Sequence, residues 1–339
     1  MIKLLIGGSP CTHWSIAQTK DRETTASGIG WELFKNYLYA KERFKPDFFL
    51  YENNKSASQA IKSQISQELS VDLMYINSAL VSAQNRQRFY AFNWCVEQPL
   101  DRGIQIKDAF GKDVVCLRYE RTEEGKAVRK QYEAGLIHHG YHELCELHPR
   151  RDGKTNTLTT VLKDNPICER IDETDEKRLD GSLQLYQVES GIITVKGKSY
   201  KINLRDGLYT IRNLTVEECC RLQTLPDDYC KAVSKSQAYK GLGNGWTAEV
   251  IIHILNGALG KVDRHEKIVV LSMYDGIGTG RYCLDKMGFT NVEYYAYEID
   301  DHAMRVASDN YPDIIQCGDA FALRNNDWTF ESLRTSEKW

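Results

Sequence analysis

The chain has 339 residues, 42% of them hydrophobic, with a formal net charge of −3 and ten cysteines. This length suffices for one large domain or for one large and one small domain. The charge balance argues against a protein that coats nucleic acid nonspecifically, so a polyanion site must be a local patch. No apolar run approaches the roughly 20 residues of a membrane-spanning helix, and the first residues lack the layout of a signal peptide. The cysteines have no metal-type spacing, which predicts reduced thiols in a cytoplasm and no bound metal.

The first predicted strand, Ile2 to Ile6, leads into the sequence Gly-Gly-Ser-Pro-Cys at positions 7–11. Ligands of open α/β sheets bind beyond the carboxyl ends of the strands, so Cys11 is placed for chemistry. The glycines and Pro10 constrain this loop, and a thiol held there can be a nucleophile. A packed, inert thiol is the alternative. The polar residues 18–30 predict a loop, which is either a lid that closes on substrate or a plain surface connection.

A second strand is predicted from Phe48 to Tyr51, after a helix from Trp31 to Phe44. A strand, a helix and a strand form a parallel crossover unit, which would place the following residue, Glu52, at the same sheet edge as Cys11. A helix at Gln59 to Leu69 and a strand at Val71 to Ile76 continue the pattern.

Two arginines follow in the sequence Gln-Asn-Arg-Gln-Arg at positions 84–88. Arg86 and Arg88 would share one face of an extended segment. Two guanidiniums facing the cleft would hold an anion and favour a thiolate, whereas the alternative is a pair of exposed strand charges.

The region from about residue 99 to 206 predicts a small β-rich second domain. Short strand-like segments alternate there with charged turns. His138, His139, His142 and His148 form no tetrahedral set with cysteine, so no zinc site is predicted. A basic turn at 148–154 precedes a threonine-rich segment, Thr155 to Thr160, that has β propensity and gives this domain a local positive face.

The return segment predicts a helix that Thr215 caps, with Glu218 three residues later. A glycine-dense turn at 241–246 then precedes a helix that begins near Thr247, which favours anions and close ligand approach.

The last part of the chain has the layout of a nucleoside-cofactor site. A buried strand, Ile268 to Tyr274, is followed by the glycine-rich loop 275–280, a helix, and the strand Val292 to Tyr297. Glu298 ends that second strand, where an acid suits a ribose diol. The alternative is a glycine-capped structural turn.

Taken together, these stretches resemble the DNA (cytosine-5) methyltransferases in a circularly permuted order. The residues of these motifs are most similar to those of the animal de novo branch, although the protein is expected to be bacterial or from a phage. The chain departs from the family pattern at two places. It has Asn54 where the family has Val after Glu-Asn, and it has Gly245-Trp246 where the family usually has Ala-Val. The stretches that carry the resemblance are Gly7 to Cys11, Glu52-Asn53, Gln84-x-Arg86-x-Arg88, Arg212 to Gln223, Gly243-Asn244 and Tyr274 to Gly280, with Glu298 and Asp319 as second and third cofactor motifs.

The resemblance implies a class I S-adenosylmethionine-dependent methyltransferase, an α/β fold with a Rossmann-like, mostly parallel sheet and a small β-rich target-recognition domain. The permuted ends would lie in a surface loop, where new termini are tolerated. The predicted divisions are residues 1–98 for the catalytic half, 99–208 for target recognition, 209–260 for the return segment and 261–339 for the cofactor-binding half.

The resemblance also implies the reaction. The Cys11 thiolate would add to C6 of a flipped cytosine, Glu52 would contact N3, Arg88 would contact O2, and Arg86 would contact the loop and a phosphate, before C5 takes the methyl group of S-adenosylmethionine. The implied cofactor residues are Pro10, Asn244, Trp246, Tyr274, Asp275, Gly276, Gly278, Thr279, Gly280, Glu298, Ile299, Asp319 and Ala320. Ser9, Ser15, Gln84, Arg151 and Lys154 are predicted to bind double-stranded DNA.

Two rival functions remain open from the sequence. A tRNA-acting cytosine-5 methyltransferase would keep the same catalytic set, and a catalytically silent homologue would only bind a partner. The sequence does not distinguish an enzyme of a restriction-modification system from a phage or solitary modifier.

Overall fold

The computed structural model describes residues 1–16, 22–138, 145–160, 165–171, 184–321 and 324. Within them the helices are α1 (Gly28–Phe44), α2 (Gln59–Leu69), α3 (Ile106–Phe110), α4 (Glu123–Glu133), α5 (Val216–Leu222), α6 (Lys235–Asn244), α7 (Ala248–Leu259), α8 (Thr279–Lys286) and α9 (Asp301–Asn310). The strands are β1 (Ile2–Gly7), β2 (Phe48–Asn54), β3 (Met74–Asn77), β4 (Gln87–Phe92), β5 (Val114–Arg121), β6 (Cys145–Pro149), β7 (Pro166–Arg170), β8 (Leu185–Glu189), β9 (Ile192–Val195), β10 (Lys198–Lys201), β11 (Gly207–Asn213), β12 (Ile268–Met273), β13 (Val292–Tyr297) and β14 (Ile315–Gln316).

The larger sheet joins strands from both ends of the chain, in the order β14-β13-β12-β1-β2-β4-β3. β1 is parallel to β12 on one side, with Ile2 opposite Ile268, and parallel to β2 on the other. β4 is antiparallel to both β2 and β3. The predicted parallel crossover from β1 to β2 is therefore confirmed, and the carboxyl ends of β1 and β12 are neighbours.

Both faces of this sheet are covered, as a parallel sheet requires. Leu4 and Ile6 of β1 belong to one buried cluster, while Leu5 belongs to the other. The first cluster includes Ile251 of α7, and the second includes Phe34 of α1. Alternate residues of β1 thus pack into two different cores on opposite faces of the sheet. A shift by one residue would exchange the faces, so this packing fixes the register of the central strands.

The second sheet is antiparallel throughout and has the order β10-β9-β8-β11-β7-β5-β6. It has a small core of its own, which includes Val115, Cys168 and Tyr209. The β-rich character predicted for the middle region is confirmed. Its last strand ends at Asn213, so the sheet extends past the predicted division at residue 208.

Several local predictions were wrong in detail. β2 continues to Asn54, so Glu52 lies within the strand and not after it. The glycine-dense segment is not a turn, because Gly241 to Asn244 form the end of α6. A Cβ on Gly243 would lie 2.6 Å from the carbonyl oxygen of Thr159, so this glycine serves close packing against a neighbouring segment.

The segment 155–160 is not a strand either. It forms only an isolated bridge between Thr155 and Gln84. Its first residue is bound to the segment 83–85, because the Thr155 N–H donates to the carbonyl of Ala83 and the Asn85 N–H donates to that of Thr155.

Three predictions fall partly outside the described residues: the loop at 18–30 for residues 18–21, two of the four histidines (His139 and His142), and the end of the last division. The glycines of that loop, Gly28 and Gly30, belong to α1. No helix in the described ranges is both long and apolar enough to cross a bilayer.

Candidate active site

Cys11 begins a short 3-10 turn, Cys11–His13, just beyond β1. Its carbonyl accepts hydrogen bonds from the backbone N–H groups of Trp14 and Ser15 at 3.1 and 3.0 Å. The Nδ2 of Asn54 donates to the same carbonyl at 3.3 Å. The thiol is half-buried and faces a cavity, so the turn presents it to a ligand from a fixed backbone.

Glu52 is buried in β2, 8% exposed, and each of its carboxylate oxygens has one donor. The Nε of Arg88 lies 2.9 Å from Oε1. The indole Nε1 of Trp246 donates to Oε2 at 3.0 Å. The carboxylate also lies close to the loop that carries the thiol, because a Cβ on Gly8 would lie 2.7 Å from the Glu52 carbonyl oxygen and 3.1 Å from Oε2. Only glycine permits this approach.

The two arginines have different environments. Arg86 is 3% exposed, and its guanidinium donates to the carbonyls of Leu158 at 2.9 Å, Gly243 at 3.1 Å and Gly245 at 2.8 Å. Burial, with a smaller effect from Arg88, lowers the pKa of Arg86 to about 9, which leaves it charged at neutral pH. Three of the five N–H groups of the Arg86 guanidinium are thus engaged by main-chain carbonyls, and its contact with a phosphate stays a prediction. Arg88 is the guanidinium that faces the carboxylate.

The loop after β12 carries the next group of predicted residues. Tyr274 has a positive φ of 60°, and its hydroxyl is held by the Nδ2 of Asn36 and the carbonyl of Leu33. Asp275 accepts hydrogen bonds on Oδ1 from the hydroxyls of Ser272 and Tyr294, both at 2.6 Å. Burial raises the pKa of Asp275 to about 6, against the smaller lowering effect of these two hydroxyls.

Glu298 links the ends of β12 and β13. Its Oε2 accepts from the Gly276 N–H at 2.8 Å, and its Oε1 accepts from the N–H groups of Ile299 at 2.8 Å and Asp300 at 2.9 Å. These contacts hold the glycine-rich loop against the second strand end. Asp300 itself forms an ion pair with Lys240 of α6 at 2.6 Å.

One cavity of about 190 Å³ connects these groups. Residues from both ends of the chain line it, as the resemblance predicted. The predicted site residues that line it are Ser9, Pro10, Cys11, Glu52, Arg86, Arg88, Asn244, Trp246, Tyr274, Asp275, Gly276, Thr279 and Glu298.

Five predicted cofactor residues do not line this cavity. Gly278 and Gly280 serve packing: a Cβ on Gly280 would lie 2.4 Å from Ile6 and 2.5 Å from the Tyr294 hydroxyl. Ala320 is buried in a hydrophobic core cluster, and Ile299 is 70% exposed. Asp319 is exposed, and its Oδ1 accepts from the N–H of Phe321.

Three buried polar atoms in the cavity wall have no hydrogen-bond partner among the described residues: Oε1 of Gln237, Oδ2 of Asp275 and Oγ1 of Thr279. Buried polar atoms are normally paired, so unpaired ones at a cavity indicate a ligand that supplies donors. A carboxylate and an amide oxygen among them favour a ligand with ammonium, amino or hydroxyl groups, which S-adenosylmethionine has.

An open cleft of about 980 Å³ meets the cavity at Cys11, Thr12, Arg88 and Asn244. Its opposite wall is the segment 156–160, next to the second sheet. The thiol therefore lies where a large open cleft joins a smaller cavity.

Only two of the five predicted DNA-binding residues face a surface that DNA could reach. Ser15 lines the cleft, and Arg151 lines a groove of about 610 Å³ on the second sheet. Ser9 is buried against the Tyr51 hydroxyl at 2.6 Å. The predictions for the remaining two find no support in the geometry, because their polar groups are engaged within the protein.

Those two residues are Gln84 and Lys154. Gln84 is fully buried; its Oε1 accepts from the Leu158 N–H, and its Nε2 donates to the Leu222 carbonyl. The ammonium of Lys154 donates to the carbonyls of Ala79, Ser82 and Ile104, and burial lowers its pKa.

Sequence reasoning missed several groups at the site. Gln237 and Lys240 come from α6 and Asp300 and His302 from the start of α9, and no local pattern marks them. Asn54 was noted only as a departure from a family pattern. Trp246 was predicted to contact the cofactor, but its hydrogen bond to Glu52 was not predicted. No cluster of three metal-ligating side chains occurs in the described part of the chain.

No curated protein matches the chain. A family model for C-5 cytosine-specific DNA methylases matches residues 1–259. With more than half of its length matched, the chain belongs to the C-5 cytosine-specific DNA methylase family.

Proposed function

We propose that this protein is a DNA (cytosine-5) methyltransferase in which Cys11 is the nucleophile and Glu52 and Arg88 hold the target base. Membership of the family already implies methyl transfer to cytosine, S-adenosylmethionine as donor and DNA as substrate. The observation that carries the residue assignment is the junction at Cys11, where the large cleft meets the smaller cavity with Glu52 and Arg88 beside it.

The reaction begins at C6 because C5 of cytosine is a weak nucleophile. The Cys11 sulfur forms a bond to C6, and the electrons of the C5–C6 double bond move toward C5. Glu52 at N3 and Arg88 at O2 take up the charge that develops on the ring. S-adenosylmethionine supplies the methyl group that C5 gains. Loss of the C5 proton then returns an electron pair to the ring and expels the Cys11 thiolate.

The base must leave the DNA helix to reach this junction. Unstacking and unpairing one nucleotide costs a few kcal/mol. The cleft beside Cys11 is large enough for a nucleotide and is lined by polar side chains, among them Asn85, Gln87 and Asn156. These donors and acceptors would replace contacts that the base loses on leaving the duplex.

S-adenosylmethionine would occupy the smaller cavity. Glu298 and Asp275 would hold its polar groups, Thr279 and Gln237 would supply further acceptors, and Trp246 would contact it from the opposite wall. The acidic groups favour its cationic charge. Asp319 is proposed to face the adenine only if the segment after β14 moves toward the cavity.

The second sheet, with residues 99–208 around it, is proposed to be the target-recognition domain. Its groove is lined by Arg118, Arg151 and Lys201. Arg118 forms an ion pair with Glu120, whereas neither Arg151 nor Lys201 forms one within the described ranges. Since phosphate neutralisation dominates DNA affinity, these two cations are the proposed backbone contacts.

The proposed circular permutation explains the extent of the family match. The match begins at residue 1 and ends at 259, before β12 and the cofactor loop. Yet β12 pairs directly with β1. If the chain is numbered from β12, its five parallel strands follow the order 3-2-1-4-5 of the doubly wound fold, and the cavity lies at the point where that order reverses.

The test is methyl transfer from labelled S-adenosylmethionine to duplex DNA, with tRNA as the second substrate. Transfer to DNA with protection of specific cytosines in bisulfite sequencing supports the proposal. Transfer to tRNA alone would instead support the RNA-modifying alternative. Cys11→Ala should abolish transfer and covalent trapping on DNA that contains 5-fluorocytosine, while S-adenosylmethionine still binds. An active Cys11→Ala protein contradicts the assignment of the nucleophile.

A further inference from the structure

Trp246 connects the cofactor cavity to the carboxylate of Glu52. It lies in the short connection between α6 and α7, at one of the two positions where the chain departs from the family pattern. Its half-buried ring lines the cavity, and its Nε1 donates to Oε2 of Glu52 at 3.0 Å. Arg88 binds the other oxygen. Each carboxylate oxygen of Glu52 therefore has its own donor, Arg88 at Oε1 and Trp246 at Oε2.

The backbone around Trp246 is held from behind. The carbonyl of Gly245 accepts from the Arg86 guanidinium at 2.8 Å and from Nε2 of Gln223 at 3.2 Å. The hydroxyl of Thr247 donates to Oε1 of Gln223 at 2.8 Å. Because these partners are buried, the peptide that carries the indole has little freedom to move. A rigid donor of this kind can fix the rotamer of the side chain that it binds.

We propose that Trp246 is a positioning residue that orients the Glu52 carboxylate toward the target base, and that Arg86 supports it by holding the Gly245 carbonyl. This assignment rests on the proposed function of Glu52. The three carbonyl contacts of Arg86 fit this supporting role better than they fit a contact with a phosphate. It also assigns the indole N–H, as distinct from the indole ring, to catalysis and not to cofactor affinity.

Charged and titratable groups from several elements surround Glu52. Arg88 and Tyr90 face it from β4, Arg86 immediately precedes that strand, Tyr51 lies beside it on β2, and Cys11 lies on the loop after β1. The indole of Trp246 carries no charge, so its replacement by phenylalanine removes a hydrogen-bond donor to Glu52 without changing any charge at the site.

The first test is Trp246→Phe, which keeps an aromatic ring and removes the donor. Single-turnover methylation should fall about tenfold at saturating DNA and cofactor. The affinity for S-adenosylmethionine, measured by calorimetry, should change by less than about threefold. Trp246→Ala, which also removes the ring, should weaken cofactor binding as well.

A double-mutant cycle with Glu52→Gln separates positioning from packing. If the indole acts through Glu52, Trp246→Phe has much less effect on the rate in the Glu52→Gln background than in the wild type. The same loss in both backgrounds, or a loss that matches a loss of cofactor affinity, would overturn the proposal.

A second readout needs no catalysis. The indole ¹H–¹⁵N resonance of Trp246, identified by its absence from Trp246→Phe, should differ in chemical shift between the wild type and Glu52→Gln. A resonance at the same position in both proteins overturns the inference. A wild-type protein that fails to methylate any nucleic acid would instead contradict the proposed function, and the resonance would still report on the contact.

Discussion

Replacing Asp275 by asparagine tests whether the cofactor loop contains a buried charge that costs stability at neutral pH. Burial raises the pKa of this carboxyl from 3.8 to about 6. Its Oδ2 is buried and has no partner among the described residues. A carboxyl that binds its proton more tightly in the folded state stabilises the fold below its unfolded pKa, and this contribution is lost as the pH rises through about 6.

The size of the effect follows from the same values. A difference of about two pH units corresponds to about 3 kcal/mol at pH values where the carboxyl is ionised in both states. An asparagine side chain at this position cannot ionise, and its Oδ1 can still accept from Ser272 and Tyr294. The free energy of unfolding of Asp275→Asn relative to wild type should therefore rise by up to about 3 kcal/mol between about pH 4 and pH 6, and then remain constant.

Urea denaturation of the cofactor-free protein at a series of pH values measures this difference. Asp206→Asn is a matched control, because Asp206 is exposed and lies outside the cavity. Calorimetry at pH 8 completes the test, since loss of an ionised acceptor should reduce the affinity for S-adenosylmethionine about tenfold or more. A stability difference that does not vary with pH would refute the reasoning.

Substitutions at three other places test the rest of the site. Glu52→Gln should slow single-turnover methylation by about 100-fold or more while DNA affinity in binding isotherms stays within about threefold; a parallel loss of both would contradict a chemical role. Asn54→Val removes the donor to the Cys11 carbonyl and should slow single turnover about fivefold. Arg151→Ala and Lys201→Ala should each reduce the slope of log affinity against log salt by about one, whereas alanine at the exposed lysine that ends α8 should leave it unchanged.

The sequence predicted the elements whose signals are local. The apolar runs of β1, β12 and β13 and the capping box of Thr215 with Glu218 all occur as expected. In the capping box the Glu218 N–H donates to Oγ1 of Thr215 and the Thr215 N–H donates to Oε2 of Glu218. Such patterns depend on neighbours within a few residues, so a single sequence contains them.

The destinations of polar side chains could not be predicted in this way. Arg86, Gln84 and Lys154 are residues of types that often contact nucleic acid. In this protein each is hydrogen-bonded to main-chain groups of distant segments. A sequence shows which donors exist. It does not show which buried carbonyls the secondary structure leaves without a partner. Because buried carbonyls are almost always hydrogen-bonded, side-chain donors near them bind them and not a ligand.

The extent of β2 explains why the contacts of Glu52 and Asn54 were missed. Strand side chains alternate between faces, so Leu50, Glu52 and Asn54 share one face and Tyr51 and Asn53 share the other. Tyr51 and Asn53 accordingly hold Ser9, while Glu52 and Asn54 face Arg88 and the Cys11 turn. If the strand ended at Tyr51, as predicted, residues 52–54 would lie outside it and this alternation of faces could not be inferred for them. Recognising that the strand continues to Asn54 would have placed a carboxylate and an amide together beside the thiol, because two more residues in extended form repeat the same face.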